Sequence, residues 1–251
     1  MQQKKVILKI KRYRSEKKAE PFFQNYEVPY RDDMVLLDVM NYIKDQVDSS
    51  LTFRWSCRMG VCGSCGAMVN GQAKLTCATY IKELNDPVTV EPLQNFPIIK
   101  DLVVDITDFM FKLKSVIPWI VRDREKPLDE GEYIQKPQEL EQFKQASMCI
   151  NCMLCYSACP VFGIEDKFIG PAAIALGYRY TLDSRDEGTN QRFDVLLSER
   201  GVWECTLVGE CSTVCPKHVD PMFTIQRLKI MGAKETVRSI LEPPSRRQDR
   251  I

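Results

Sequence analysis

The stretch CINCMLCYSACP, residues 149–160, places cysteines at 149, 152, 155 and 159 and a proline directly after the last. This is C-x2-C-x2-C-x3-C-P, the spacing that wraps a thiolate-rich loop around an iron–sulfur cube. CTLVGECSTVCP, residues 205–216, repeats the frame with Cys205, Cys211, Cys215 and Pro216, but carries Val208 where the second cysteine would stand. In paired runs of this kind the cysteine before the proline ligates the other cluster. That crossing assigns Cys149, Cys152, Cys155 and Cys215 to a [4Fe–4S] cube. It leaves Cys159, Cys205 and Cys211 as a three-thiolate site. Three thiolates with an apolar side chain in the gap suit a [3Fe–4S] cluster, a cube lacking one iron corner. The competing reading makes Val208 an ordinary core valine beside a four-iron cluster with a non-cysteine ligand.

Upstream, RWSCRMGVCGSCG (54–66) holds Cys57, Cys62 and Cys65, and Cys77 follows. C-x4-C-x2-C with a distant fourth cysteine is the plant-type [2Fe–2S] spacing. Gly60, Gly63 and Gly66 interleave with these ligands, which lets backbone N–H groups approach cluster sulfurs. A structural zinc site favours two C-x2-C knuckles, and only one is present here. A redox-active dithiol at Cys62 and Cys65 leaves Cys57 and Cys77 unexplained. His218 is the only histidine, which excludes a Rieske centre and bis-histidine haem ligation within the chain. The partition into four, four and three uses all eleven cysteines.

The bulk properties agree with this chemistry. A formal charge of +1 gives no global field for nucleic acid or anionic lipid. The start, MQQKKVILKIKRYRSEKKAE, has no apolar signal region, so the thiols are expected in a reducing compartment, where clustered cysteines serve as metal ligands. The most apolar run, ITDFMFKLKSVIPWIV (106–121), is interrupted by Lys112, Lys114 and Pro118 and is not expected to span a bilayer. Membrane contact is then peripheral or made through another subunit.

Residues 78–148 contain no cysteine and include the charged, proline-bounded KPLDEGEYIQKP, which predicts two domains, 1–103 and 104–251. In the first, VILKIKRY alternates with Val6, Leu8 and Ile10 on one face, as in a half-buried strand. NYEVPY (25–30) reads as a second strand. MVLLDVMNYIKDQV (34–47) has apolar residues at 36, 40, 43 and 47 at helical spacing, with Asp33 as its cap. AMVNGQAKL reads as a hairpin about Asn70-Gly71. The second domain is expected to be helical, with Pro137, Pro171 and Pro221 in first turns, Asp220 capping the last helix and Gly232 near its end. The tail EPPSRRQDRI has no periodicity and is expected to be a solvated end.

RWSCRMGVCGSCG, LVVDITDF, CINCMLCYSACP, FIGPAAIA and GECSTVCPKHVDP together resemble the iron–sulfur subunit of the succinate dehydrogenase/fumarate reductase family, from about residue 5 to 235. The resemblance implies an α+β plant-type ferredoxin β-grasp domain followed by an all-α helical ferredoxin domain, with the three ligand sets given above. It further implies a complex on the cytoplasmic side of the cell membrane. There a flavoprotein subunit with FAD interconverts fumarate and succinate, and this chain wires the flavin to a quinone held by membrane anchor subunits. The two-iron cluster lies towards the flavin and the three-iron cluster towards the quinone. Succinate dehydrogenases often carry two tryptophans at the positions of Gly163 and Ile164. CPVFGI instead resembles the bacterial fumarate reductase branch, implying menaquinol oxidation coupled to fumarate reduction, with succinate dehydrogenase as the alternative. In that branch Thr206, Gln226 and Lys229 match quinone-pocket residues. Gln226 and Lys229 share a helix face, which could equally be a solvated polar face. For His218, packing is the first reading and a proton relay the second. No acid, base or nucleophile constellation is evident within the chain, so any catalysis belongs to the complex. A soluble multi-cluster ferredoxin and a structural zinc module are the competing functions.

Overall fold

The computed structural model describes residues 4–14 and 20–241. β1 (Lys4–Arg12) buries Val6, Leu8 and Ile10 on one face, as its alternation demands. It pairs antiparallel with β2 (Phe22–Tyr30) along its whole length and parallel with β5 (Val88–Glu91). β3 (Gly66–Val69) and β4 (Gln72–Leu75) form the hairpin, turning at Asn70 and Gly71, whose φ values are 46° and 79°. Two successive left-handed residues make the turn whose twist matches paired strands. The sheet order is β2-β1-β5-β3-β4. α1 (Leu36–Tyr42) covers one face with Leu36, Val39 and Met40, closing a core with Leu8, Ile10, Val28, Val88 and Val90.

Three local expectations change. The α1 cap is Val35, whose N–H donates to Asp38 at 3.1 Å; Asp33 pairs with Arg31 instead. Val47 is exposed, because α1 continues as a π-helical turn over Ile43–Val47. That wider turn carries position 47 off the buried stripe. β2 begins at Phe22, three residues before NYEVPY.

Arg12 ends β1 fully buried. Its guanidinium donates to Asp101 at 2.9 Å, Asp48 at 2.6 Å, Ser50 and Gln24 at 3.0 Å, and Tyr26. A buried cation is tolerable only when paired and hydrogen-bonded throughout. This network ties β1 to the π-helical turn and to the ribbon of β6 (Ile98–Lys100) and β7 (Val103–Val104). The 103/104 division falls inside β7.

The helical half comprises α2 (Thr107–Ser115), α3 (Pro137–Glu141), α4 (Lys144–Ser147), α5 (Leu154–Ser157), α6 (Pro160–Ile164), α7 (Pro171–Thr181), α8 (Thr189–Leu196), α9 (Glu210–Thr213) and α10 (Pro221–Leu241). Pro137, Pro171 and Pro221 each open a helix, as does Pro160, where a missing N–H is not needed. Asp220 caps α10, accepting from Phe223 N–H at 2.9 Å. Gly232 does not end that helix, which runs to Leu241. A Cβ there would stand 2.7 Å from Leu197 and 3.3 Å from Trp203, so Gly232 is a close-packing glycine. α7 is central and buries Ala172, Ala173, Ile174, Ala175 and Tyr178. The two halves share one core, in which Leu154, Tyr156 and Phe162 join Met68, Leu75 and Leu93. Residues 242–251, and the solvated end expected there, lie outside the described residues. Among the described residues no helix is long and apolar enough to cross a membrane.

Candidate iron–sulfur centres

None of the eleven cysteines is paired in a disulfide. The first group surrounds the loop 57–65, where Arg58, Gly60 and Gly63 take φ values of 58°, 67° and 73°. Alternating left-handed residues aim successive N–H groups at one point, a concavity suited to negative charge. Met59, Val61 and Cys62 N–H donate to Cys57 Sγ at 3.5, 3.4 and 3.3 Å. Those bonds pull the Cys57 thiol down to about 6. The Cys77 thiol, from the turn after β4, is pushed up to about 11 by burial first and by Cys65 and Cys57 next, against a bond from Gly60 N–H.

The second and third groups occupy two loops with the same backbone plan. In the loop from Cys149, the second and fourth residues on, Asn151 and Met153, are left-handed, and α5 follows. In the loop from Cys205, Leu207 and Gly209 are left-handed at the same offsets, and α9 follows. Cys152 and Val208 therefore hold equivalent places. Cys152 is buried, whereas Val208 is 60% exposed. An exposed Val208 is not a core valine.

Cys149, Cys152, Cys155 and Cys215 line one cavity, and burial and neighbouring thiols raise the pKa of the first three. Cys149 is pushed up by burial and by Cys215. Cys152 is pushed up to about 12 by burial, then by Cys149 and Cys215. Cys155 is raised by burial and by Cys152, Cys149, Cys211 and Cys215. Cys159 is raised by burial and by Cys205, and Cys211 is pushed up to about 12 by burial, then by Cys159 and Cys205. Cys159 caps α6, its Sγ accepting from Phe162 N–H at 3.4 Å. Leu207 N–H donates to Cys205 Sγ, also at 3.4 Å.

Among the described residues, no three His, Cys, Asp or Glu side chains converge tightly enough to hold a single metal ion. A cluster spaces its thiolates more widely than one tetrahedral zinc, because sulfide and several irons lie between them. An all-thiol donor set with backbone N–H groups turned onto its sulfurs fits clusters of that kind.

Adjacent groups touch. A Cβ on Gly63 would stand 2.6 Å from Ile150 O and 3.0 Å from Cys152 Cα, so the first loop packs backbone to backbone on the second. α5, which carries Cys155, packs on α9, which carries Cys211, so the second group adjoins the third.

Thr206 and Gln226 are exposed, and Lys229 is half-buried. Lys229 Nζ donates to Cys205 O at 2.7 Å, which brings the α10 face onto the third loop and excludes a wholly solvated Lys229. His218 lies in a left-handed turn after Cys215, with its carbonyl accepting from Gln145 at 2.9 Å.

Comparison with known proteins agrees with both halves. Residues 7–111 match the 2Fe-2S iron-sulfur cluster binding domain, and residues 145–219 match the 4Fe-4S dicluster domain. The chain is 57% identical over 240 residues to the fumarate reductase iron-sulfur subunit of Mycobacterium tuberculosis, covering 95% of this chain and 97% of that one. It is 36% identical over 230 residues to the succinate dehydrogenase iron-sulfur subunit of Coxiella burnetii, covering 90% and 97%. A chain of the Mycobacterium smegmatis Sdh1 complex in the apo form superposes with a TM-score of 0.80 at 25% identity, covering 93% of this chain and 98% of that chain. The chain belongs to the family of iron–sulfur subunits of fumarate reductase and succinate dehydrogenase.

Proposed function

We propose that this chain relays single electrons between a quinol at membrane anchor subunits and the FAD of a partner flavoprotein subunit, in the direction of fumarate reduction. The observation that carries this reading is the unbroken contact from the first thiol group to the second and from the second to the third. Cys57, Cys62, Cys65 and Cys77 hold a [2Fe–2S] cluster. Cys149, Cys152, Cys155 and Cys215 hold a [4Fe–4S] cluster, and Cys159, Cys205 and Cys211 hold a [3Fe–4S] cluster. Bound clusters supply one-electron storage at each stop. The chain itself fixes their order, withholds water from the buried thiols and turns N–H dipoles onto the sulfurs. The division 1–103 and 104–251 separates the first stop from the other two.

Both ends present apolar surface. Trp55, Met59 and Val61 are exposed around the first loop, a surface suited to the flavoprotein. Trp203, Leu207, Val208, Phe223 and Ile230 are exposed around the third, beside Thr206, Gln226 and Lys229, which we assign to the quinone, a menaquinone in this reading. The chain then sits peripherally on the cytoplasmic face of the membrane. The higher identity to a relative named for fumarate reductase favours that direction over succinate oxidation.

The test is anaerobic purification with associated subunits, iron and sulfide analysis, and magnetic resonance at poised potentials. The expected result is about nine irons per chain in three distinct signals. Fewer than about seven irons, or no trinuclear signal, would refute the reading.

A further inference from the structure

We propose that Asn95 is a positioning residue for the third centre, clamping the turn that carries Cys155 and Cys159 and restricting position 163 to glycine. Asn95 lies in the segment between β5 and β6 and belongs to the first half of the chain, whereas the turn it holds belongs to the second. Its Nδ2 donates to the carbonyls of Tyr156, Ser157 and Cys159 at 3.0, 3.2 and 3.2 Å. Tyr156 and Ser157 lie in the last turn of α5, where intrahelical donors run out, and Cys159 is the cap residue of α6. Three acceptors around one position require the amide NH2 there, which fixes the orientation of the side chain.

The amide oxygen must then face the other way, towards α6. A Cβ on Gly163 would stand 2.8 Å from Asn95 Oδ1 and 3.3 Å from its Cγ. Such a clash costs little when the obstacle can swing away. Here the obstacle is held by three carbonyls, so movement would break those bonds. Gly163 N–H also donates to Cys159 O at 3.2 Å, the same carbonyl that Asn95 holds. The preceding residue continues the clamp, since Gln94 N–H donates to Ser157 Oγ at 2.9 Å and that hydroxyl contacts Met68 Sδ at 3.2 Å. The backbone of Asn95 is left-handed, with φ 66°, which asparagine tolerates and glycine accepts without strain.

This inference rests on Cys159 serving the three-iron centre, and the test separates the two claims. Asn95→Gly, Gly163→Ala and the double variant are purified as anaerobic complexes. Amide exchange over residues 156–163 and the potentials and line shapes of each centre are measured. Asn95→Gly is expected to speed exchange across 156–163 and to shift the three-iron potential and line shape, leaving the two-iron centre unchanged. Gly163→Ala alone is expected to do the same by pushing the amide off its carbonyls. The double variant is expected to match Asn95→Gly alone, because residues sharing one contact are non-additive. Unchanged exchange in Asn95→Gly, or simple addition of the two single effects, overturns the clamp. If Asn95→Gly does not assemble, Gly163→Ala decides, and wild-type exchange with a wild-type three-iron signal overturns the clamp. A wild-type complex without a three-iron signal refutes the role of Cys159, and the exchange data alone then decide the clamp.

Discussion

Lys229 Nζ donates to the backbone carbonyl of Cys205 at 2.7 Å, binding the middle of α10 to the loop of the third thiol group. An ammonium has three donors, so one bond fixes its place and two remain for a quinone oxygen or a water. Lys229→Met is expected to slow quinol oxidation about 10²-fold, the lower range for a positioned proton donor. Reduction of fumarate by an artificial donor that bypasses the quinone should stay within about twofold, as for a change that spares the remaining steps. Equal loss in the two assays would assign Lys229 to folding alone.

Val208 and Cys152 occupy equivalent places in two loops of one backbone plan, but Val208 faces solvent. Val208→Cys therefore puts a thiol at the place that Cys152 holds in the second loop, without opening a cavity. Folding stability should change by less than about 0.5 kcal/mol, as for surface substitutions generally. Iron content should rise by about one atom per chain, and the trinuclear signal should give way to a four-iron signal at lower potential. Retention of the trinuclear signal would mean that something other than the missing thiolate keeps the fourth iron out.

The three cysteine-bearing loops are legible in the sequence because their spacing is local. Cysteines within a dozen residues of one another fall in one loop, and a proline follows the last cysteine of each of the two later runs. Prolines at 137, 171 and 221 were readable for the same reason, since a first turn tolerates a missing N–H. Gly232 misled because glycine serves both helix ends and close helix packing, and only the position of Leu197 distinguishes them. Val47 misled because a π-helical turn shifts the period by a fraction that no apolar count reveals. Arg12 with Asp101, and Asn95 with Cys159, gave no signal, because each joins chain segments far apart in sequence.

Asp186 and Arg192 form a pair with no solvent exposure on either side chain. Burial raises the Asp186 pKa, but Arg192 and the N–H groups of Val121 and Gly188 outweigh it and hold the carboxyl below its ordinary value of 3.8. Burial opposes Arg185 and Arg179 at Asp183 in the same way, and that carboxyl is also held low. A carboxyl depressed on folding adds stability above its unfolded pKa and loses it as pH falls through the folded one. Stability should thus be flat from neutrality to about pH 5 and fall progressively below about pH 4, followed by denaturant unfolding at each pH. Asp186→Asn should remove the Asp186 share of that slope and cost about 3–5 kcal/mol at neutral pH, because Arg192 stays buried without its counter-charge. An unaltered acid slope in that variant would locate the acid sensitivity elsewhere.

Gly63 meets two constraints, one on its backbone angle and one on the space beside it. Its φ of 73° is unfavourable for a residue with a side chain, and a Cβ there would stand 2.6 Å from Ile150 O. The obstacle is backbone, so it cannot rotate away, and Gly63→Ala must separate the first loop from the second. The strained conformation alone costs about 1–3 kcal/mol, which should appear as a lower unfolding midpoint. The separation should appear independently, as slower electron passage from the four-iron to the two-iron centre after rapid reduction from the quinol side. Gly60 provides the control: its φ is 67°, but a Cβ there meets nothing within 4 Å. Gly60→Ala should therefore carry the conformational cost without slowing passage. If both variants slow it equally, loop strain rather than contact with Cys152 governs the transfer.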